Sequence, residues 1–292
     1  MSESKNRGRN QNSVSLVIPA KNEAGVIGTL ITELRDLYPG SEIIVVNDGS
    51  SDDTDQVAAN AGARVITHPY SKGNGSAVKT GARLANGDII VFMDGDGQHQ
   101  AADVDQLLAK LDEGFDMAVG ARSSKDHASG GRRIANNFYN WLATRMTGHN
   151  IADLTSGFRA VWTDKFREFL HLLPNGFSYP TTSTMAFFRA GYSVAYVPIK
   201  VRQRVGKSHI RPLKDGMRFL IIIFKVGTLY SPLKIFLPFS ALFFTLGLGY
   251  YIYTYFAAHA FTNMGALLFS VSIIVFLIGL VSEQITALQY RR

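Results

Sequence analysis

The sequence has no cysteine among its 292 residues. That absence excludes disulfide bonds and thiolate metal sites, so a metal ion can be held only by oxygen or nitrogen ligands. No segment repeats with a period of 20–50 residues, which argues against a repeat architecture. Residues 1–12 are polar and contain no apolar run, so they predict a disordered N-terminus rather than a signal peptide.

A long segment near the C-terminus lacks charge. Residues 235–282 contain no Lys, Arg, Asp or Glu. This stretch is too long for one membrane span and fits two, predicted at about 235–258 and 264–282. A buried helical hairpin in a soluble protein is the alternative. Lys234 precedes the first predicted span, and Arg291 and Arg292 follow the second, so the positive-inside rule predicts that both termini are cytoplasmic.

The formal charge of +7 is unevenly distributed. Residues 200–234 hold nine Lys or Arg and one acid, whereas the rest of the chain holds 21 bases and 22 acids. The protein is therefore not generally basic, and we do not expect a nucleic-acid partner. Wound as a helix, residues 211–231 predict an amphipathic segment that meets lipid phosphate. A surface helix on a soluble domain is the alternative. The bases on its polar side are Arg211, Lys214, Arg218 and Lys225.

Short apolar runs alternate with segments of helical spacing between residues 13 and about 125. The predicted strands are 14–18, 43–46, 63–67, 88–93 and 117–120, with a late strand at 194–199. This alternation predicts an α/β fold in which a mostly parallel sheet is covered by helices on both faces. Ligands bind such sheets beyond the carboxyl ends of the strands. Residues 153–159 form a polar cluster between helical stretches.

Polar side chains follow several of these predicted strands. Asp94, Asp96 and Gln98 come after strand 88–93 at alternating positions, so all three can face one point. Their oxygens suit Mg²⁺ or Mn²⁺, ions that commonly act on phosphate oxygens. A turn rich in Asp and Gly, without a metal, is the alternative. The other polar residues at predicted strand ends are Asn22, Glu23, Asp48 and Arg122. Together they favour a binding site at this edge of the sheet.

Six segments in order resemble those of family 2 glycosyltransferases with the GT-A fold. They are VIPAKNE (17–23), VNDGSSD (46–52), KGNGSA (72–77), DGDGQH (94–99), GAR (120–122) and DLTSGFR (153–159). With the predicted membrane hairpin, they more narrowly resemble dolichyl-phosphate mannose synthase and the bacterial polyprenyl-phosphate glycosyltransferases. The resemblance covers the chain from about residue 13 onward. It implies a GT-A domain over 13–210, a juxtamembrane helix over 211–231 and a membrane hairpin over 232–292.

The resemblance implies roles for individual residues. The nucleotide-sugar site would include Pro19, Ala20, Asn22, Glu23, Asp48 and Lys72, with phosphate contacts from Arg122 and Arg133. The metal ligands would be Asp94, Asp96 and Gln98. A basic loop over the diphosphate would contain Arg204, Lys207 and Ser208. The catalytic group would comprise Asp96, Arg122 and Asp153. The chain departs from the family pattern at Gln203 and His209, where basic residues are usual, so the resemblance leaves the working base of this loop undecided.

The implied activity is inverting transfer of a hexose or N-acetylhexosamine from a nucleotide diphospho-sugar to a polyprenyl phosphate. It would use Mg²⁺ or Mn²⁺ at the cytoplasmic face of the cell inner membrane. Because a lipid phosphate is already ionised near neutral pH, Asp153 is expected to position groups or balance charge rather than remove a proton. UDP-sugars and GDP-mannose both stay open as donors, and relatives are often homo-oligomers.

Other classes of protein fit part of the sequence. A membrane-bound synthase acting on a growing polysaccharide, or on another lipid acceptor, would share the nucleotide half. A processive synthase is also expected to carry a Gln-x-x-Arg-Trp motif, and neither Trp141 nor Trp162 lies in one. A nucleotidyltransferase is expected to carry a basic glycine-rich loop after the first strand, where residues 19–23 stand instead. A non-catalytic nucleotide-sugar-binding membrane adaptor would not need two acids and Gln98 together.

Overall fold

The computed structural model describes residues 13–122, 130–176, 178–201, 224, 227–228, 230–260 and 262–290, with the backbone alone at 130–136, 138–139 and 258. The chain divides into two compact units, Met1–His209 and Ile210–Arg292. The four bases predicted to meet lipid phosphate lie outside the described residues: Arg211, Lys214, Arg218 and Lys225. Most of the predicted juxtamembrane helix therefore lies outside them as well.

The first unit begins with three parallel strands joined by helices. The strands are β1 (Val14–Ala20), β2 (Glu42–Asn47) and β3 (Arg64–Thr67), and the helices between them are α1 (Ala24–Leu37) and α2 (Thr54–Asn60). Apolar residues recur along α1 at helical spacing, and the buried ones are Ile27, Leu30, Ile31 and Leu34. This apolar stripe faces the core and accounts for the helix.

The remainder of the unit adds four strands and their helices. In chain order these are α3 (Asn74–Leu84), β4 (Ile89–Phe92), a 3₁₀ turn (Ala101–Asp103), α4 (Val104–Asp112), β5 (Met117–Arg122), α5 (Gly130–Thr147), β6 (Arg159–Trp162), α6 (Thr163–Glu168), α7 (Tyr179–Arg189) and β7 (Val194–Ile199). Every residue of β4 is buried. A strand covered on both faces favours the continuous apolar run seen in its sequence.

The described strands form one seven-stranded sheet in the order β3-β2-β1-β4-β6-β5-β7. The pairings of β6 with β4 and β5 are antiparallel, and the other pairings are parallel. The predicted α/β class with helices on both faces is confirmed, and the sheet is mixed. Strand β6 was not predicted; it begins at Arg159, the last residue of the polar cluster 153–159.

The second unit contains two long apolar helices. Helix α8 (Pro232–Ala258) and helix α9 (Asn263–Gln289) have 27 residues each. At 1.5 Å per residue each is about 40 Å long, which exceeds the roughly 30 Å hydrocarbon core of a bilayer. Their composition is also apolar enough to cross a membrane. The predicted pair of apolar C-terminal helices is therefore confirmed, and α9 continues seven residues beyond its predicted span end at 282.

Small residues lie where α8 and α9 pack together. Along α9 the buried residues recur every seventh position, namely Gly265, Ser272, Gly279 and Thr286. The hydroxyl of Ser240 donates to the carbonyl of Ser272 at 2.9 Å, and the hydroxyl of Ser272 donates to the carbonyl of Ser240 at 2.9 Å. Small side chains at such positions let two backbones approach closely, and hydrogen bonds between them stabilise helix pairs in lipid.

Candidate active site

A cavity of about 480 Å³ lies at the carboxyl ends of β1, β2 and β4. Its walls include Pro19 and Ala20 at the end of β1, Asp48 after β2, and Asp94 and Asp96 after β4. The sheet order places these three strands side by side. The cavity is therefore lined by several of the residues that the sequence placed at one edge, namely Glu23, Asp48, Asp94 and Asp96, whereas Asn22, Gln98 and Arg122 are not among its described lining residues.

The acidic pair reaches the cavity from a turn. Strand β4 ends at Phe92, and the turn that follows contains Gly97 at φ +70°. The backbone N–H of Gln98 donates to Asp96 Oδ1 at 3.1 Å, which holds the turn closed. Of the three predicted metal ligands, Asp94 and Asp96 line the cavity, and the side chain of Gln98 does not appear in its described lining.

The carboxylate oxygens on this cavity suit a divalent metal ion that is bound together with a diphosphate. Within the described residues, no group of three or more His, Cys, Asp or Glu side chains could hold a metal by itself. Mg²⁺ usually binds proteins through one or two carboxylates and completes its coordination with substrate phosphates and water. Two carboxylates on one cavity, Asp94 and Asp96, match that requirement.

Gly157, two residues before β6, brings the backbone close to this acidic pair. A Cβ atom at Gly157 would lie 2.8 Å from Asp94 Oδ2 and 3.0 Å from the hydroxyl oxygen of Tyr179. The buried Tyr179 hydroxyl donates to the carbonyl of Gly157 at 3.3 Å. Glycine is thus required here by close approach. Tyr179 lines the cavity and was not predicted, because it lies more than 80 residues along the chain from the cavity residues at the ends of β1, β2 and β4.

Arg122 and Asp153 form an ion pair in which Asp153 is buried and Arg122 is partly exposed. Arg122 Nε lies 2.8 Å from Asp153 Oδ2, and Arg122 Nη2 lies 3.2 Å from Asp153 Oδ1. Arg122 Nη2 also donates to the hydroxyl of Thr155 at 2.7 Å, and Thr155 lines the cavity. Burial raises the pKa of Asp153, but the hydrogen bonds and the charge of Arg122 outweigh burial and hold that pKa below its usual range.

Asp48 accepts two hydrogen bonds on each carboxylate oxygen. The donors to Oδ1 are His68 Nδ1 and the N–H of Lys72, and those to Oδ2 are the Ser71 hydroxyl and the N–H of Gly73, all at 2.8 Å. Burial raises the pKa of Asp48, but these hydrogen bonds outweigh burial and lower it to about 2. The protein donors thus already occupy both oxygens of Asp48, a residue that the resemblance assigns to the nucleotide-sugar site.

The loop after β1 is held to the loop after β2. Asn22 has a left-handed backbone, with φ +58°, and its Oδ1 accepts from the N–H of Ser51 at 2.8 Å. Glu23 lines the cavity, and its N–H donates to the Thr54 hydroxyl at 2.9 Å. Asn22 therefore joins two loops, whereas Glu23 contributes to the wall. The exposed Lys72 side chain lies 5.7 Å from the centre of the Tyr70 ring.

Two buried polar residues near the acidic pair were not predicted as site residues. His99 stacks on Phe158 at 4.8 Å between ring centroids, and its Nε2 lies 4.0 Å from Asp94 Oδ2. Burial lowers the pKa of His99 to about 4. Arg159 is fully buried and donates to the carbonyl of Pro180 at 3.1 Å. Both residues stand inside the quoted motifs, so the motifs contained the signal, but their spacing did not show burial.

The side chains of four predicted site residues lie outside the described part of the structure. They are Arg133, Arg204, Lys207 and Ser208. The same applies to Gln203 and His209, the two departures from the family pattern. The assignment of Arg133, Arg204, Lys207 and Ser208 to the phosphates of the donor stays a prediction.

A mixed α/β sheet with an Asp-x-Asp turn on a cavity at its carboxyl edge defines a GT-A class of protein. The glycosyl transferase family 2 model matches residues 15–170, and a model described as the GtrB C-terminal hairpin matches residues 231–288. The chain belongs to glycosyl transferase family 2, and the protein is a glycosyltransferase.

Similar proteins match between about two thirds and nearly all of the chain. Glycosyltransferase AglJ of Haloferax volcanii is 27% identical over 94% of each chain. The undecaprenyl-phosphate mannosyltransferase of Micrococcus luteus is 29% identical over 67% of this chain and 86% of its own. Glucosyl-3-phosphoglycerate synthase of Mycobacterium tuberculosis, crystallised with Mn²⁺, UDP and glucosyl-3-phosphoglycerate, is 25% identical, with a TM-score of 0.61 over 74% of this chain and 79% of its own.

Proposed function

We propose that this protein transfers a sugar from a nucleotide diphospho-sugar to a polyprenyl phosphate, with inversion at the anomeric carbon. The observation that carries the proposal is the cavity on which Asp94 and Asp96 face the residues at the ends of β1 and β2. The name of the Micrococcus luteus relative supports a polyprenyl phosphate acceptor. The two long apolar helices support an acceptor that resides in a membrane.

The residues of the cavity divide between donor binding and charge balance. Asp94 and Asp96 would hold a divalent metal ion, and the Mn²⁺ and UDP bound by the mycobacterial neighbour support this role. When bound, such an ion offsets the negative charge that develops on the leaving diphosphate. Pro19, Ala20 and Asp48 would flank the nucleoside. The donor is a UDP-sugar or GDP-mannose, and the same neighbour favours UDP.

Bond making does not require a protein base. An ionised phosphate oxygen of the lipid attacks the anomeric carbon as the bond from that carbon to the diphosphate oxygen breaks, so no proton has to be removed from the nucleophile. Asp153 is unsuited to remove one, because Arg122 and Thr155 occupy its oxygens and Arg122 lowers its pKa. We therefore assign Asp153 to holding Arg122 in place, and Arg122 to phosphate charge near Thr155.

The membrane arrangement belongs to the same proposal. Helices α8 and α9 would span the inner membrane, and the catalytic unit with both termini would be cytoplasmic. The positive charges at Lys234, Arg291 and Arg292, and their absence from the turn at 259–263, support this orientation. Several tyrosines near the turn suit the opposite interface, as aromatic residues usually do. They are Tyr250, Tyr251, Tyr253 and Tyr255.

The direct test is an assay of the purified full-length protein in detergent. Polyprenyl phosphate is supplied with Mn²⁺ or Mg²⁺ and with radiolabelled UDP-glucose, UDP-N-acetylglucosamine or GDP-mannose in separate reactions. We expect a labelled lipid product from one donor that disappears when the metal is chelated. Absence of a lipid-linked product with every donor contradicts the polyprenyl phosphate acceptor. A labelled polysaccharide in its place supports the alternative acceptor.

A further inference from the structure

A chain of buried hydrogen bonds lies behind one wall of the cavity. Its centre is His68, which follows β3 and is 5% exposed. His68 Nδ1 lies 2.8 Å from Asp48 Oδ1, and His68 Nε2 lies 2.9 Å from the hydroxyl oxygen of Thr80. An ionised carboxylate only accepts hydrogen bonds, so Nδ1 donates to Asp48, and in the neutral imidazole Nε2 accepts from Thr80.

This series of hydrogen bonds forms a closed ring that includes α3. The N–H of Gly73, the residue before α3, donates to Asp48 Oδ2 at 2.8 Å. Thr80 lies seven residues beyond Gly73, about two turns along the same helix. The ring thus runs from Asp48 to His68 and Thr80, along α3 to Gly73, and back to Asp48. It ties the ends of β2 and β3 to the start of α3.

The ring supports residues that line the cavity. Asp48, Ser71, Asn74 and Ala77 all belong to the cavity wall. Ser71 and Gly73 donate directly to Asp48, and Lys21 Nζ donates to the Ser71 hydroxyl at 3.0 Å. Because both Asp48 oxygens already accept from protein donors, the carboxylate is suited to shaping this wall. A wall shaped in this way presents Ser71 and Asn74 to a ligand.

We propose that His68 is a positioning residue for nucleoside diphosphate recognition. Held by Thr80, His68 fixes the carboxylate of Asp48 and through it the loop 71–73 and the first turn of α3. The inference rests on the proposed function, since it requires a nucleoside diphosphate in this cavity. His68 itself does not line the described cavity, so its effect on binding passes through Asp48.

Two substitutions separate the two arms of the imidazole. The amide nitrogen of Asn and Nδ1 of His are both two bonds from Cβ, so His68→Asn retains a donor to Asp48. The amide group of Gln and Nε2 of His are both three bonds from Cβ, so His68→Gln retains the contact with Thr80 and loses the donor to Asp48. Thr80→Val removes only the hydroxyl arm.

The measurement is the Kd of UDP and of GDP, each with Mn²⁺, by titration calorimetry on the full-length protein in detergent. For whichever nucleotide binds more tightly, we expect His68→Gln to weaken binding roughly 10-fold, as for loss of a hydrogen bond to a charged group. His68→Asn is expected to stay within about threefold, and Thr80→Val to weaken binding about threefold. In turnover, KM for the donor rises while kcat is retained. Matched controls are His171→Gln and Thr32→Val, at exposed positions away from the cavity, which leave Kd unchanged.

The outcomes distinguish this inference from the proposed function. If the unsubstituted protein binds neither nucleotide, the proposed function is wrong. If it binds one of them and His68→Gln binds equally well while its Tm falls, His68 is only structural and the inference is wrong. If the His68 variants fail to fold, Thr80→Val decides, because a wild-type Kd in that variant also overturns the inference.

Discussion

Asp96 lines the cavity from a turn that follows β4, rather than from an extended strand. The turn that carries it is closed by the N–H of Gln98 and passes through Gly97 in a left-handed conformation. The alternating pattern of Asp94, Asp96 and Gln98 predicted a common face. In the structure, the turn after β4, rather than one face of a strand, places both carboxylates on the cavity wall. A metal site here depends on the conformation of this turn as well as on its acids.

Replacing Asp96 tests the metal assignment. Asp96→Asn keeps the size of the side chain and removes its charge, so we expect kcat to fall about 100-fold or more, as when a group stabilising transition-state charge is lost. Mn²⁺ binding in the presence of UDP, followed by electron paramagnetic resonance of free Mn²⁺, is expected to weaken in parallel. The matched control is Asp36→Asn on the exposed face of α1. Full turnover by the Asp96 variant contradicts the assignment.

The lowered pKa of Asp48 predicts a specific acid sensitivity. Its pKa in the folded protein is about 2, against an ordinary value of 3.8. A depressed carboxyl pKa stabilises the fold above the ordinary pKa and loses that contribution as pH falls through the folded pKa. At 1.36 kcal/mol per pKa unit the contribution is about 2 kcal/mol at neutral pH, and it disappears between about pH 4 and pH 2.

Thermal unfolding of the full-length protein in detergent measures this effect. We expect Asp48→Asn to lower Tm at pH 7. Between pH 4 and pH 2, the Tm of this variant is expected to fall less than the Tm of the wild type. The exposed Asp36→Asn variant serves as the control and is expected to follow the wild-type curve. Parallel curves for the wild type and Asp48→Asn would show that this carboxylate is not the group that titrates.

The sequence predicted some residues of the cavity well and others not at all. Asp48 and Asp94 were predicted because parallel strands bring their carboxyl ends to one edge. His68 and Tyr179 were missed because their positions depend on packing between segments far apart in the chain. The ion pair between Arg122 and Asp153 joins residues 31 positions apart, and their spacing in the sequence did not indicate it. Distance along the chain, rather than chemistry, limited prediction of the site.

At the scale of elements, β6 shows the same limit. Its four residues, Arg159–Trp162, begin with a charged side chain that ends the polar cluster, so they lack the continuous apolar run that marked β4, a strand of the same length. They become a strand because they pair antiparallel with both β4 and β5. Elements with a clear local pattern were predictable, as the apolar stripe of α1 and the buried apolar run of β4 show. Elements defined mainly by their neighbours were not.

Packing of α8 against α9 leads to a prediction about glycine. A Cβ at Gly279 would lie 2.7 Å from Cβ of Phe236, closer than atoms in a packed interface approach. We expect Gly279→Ala to cost about 1–3 kcal/mol, as overpacking usually does, and to lower Tm in detergent. The matched control is Gly249→Ala on α8, where nothing lies within 4 Å of the added atom. An unchanged Tm for Gly279→Ala contradicts the helix pairing.

For the whole molecule, the proposed orientation can be tested because the chain has no cysteine. Single substitutions Ser4→Cys and Ala260→Cys place one thiol near the N-terminus and one in the turn between α8 and α9. We expect a membrane-impermeant maleimide to label Ala260→Cys on intact cells with a permeable outer layer, and Ser4→Cys only after lysis. The cysteine-free protein is the matching blank. Labelling of Ser4→Cys on intact cells would reverse the proposed topology.

The sheet order has a consequence for synthesis of the chain. Strand β5 pairs with β6 and β7, and both follow it in the sequence. This half of the sheet therefore cannot assemble until residue 199 has been made, while α8 begins at residue 232. At 5–20 residues per second, roughly 2–7 s separate those two points. The same interval separates the emergence of β7 from that of the first apolar helix at the ribosome, so the nascent catalytic unit has a few seconds in which to complete its sheet before an apolar segment follows it.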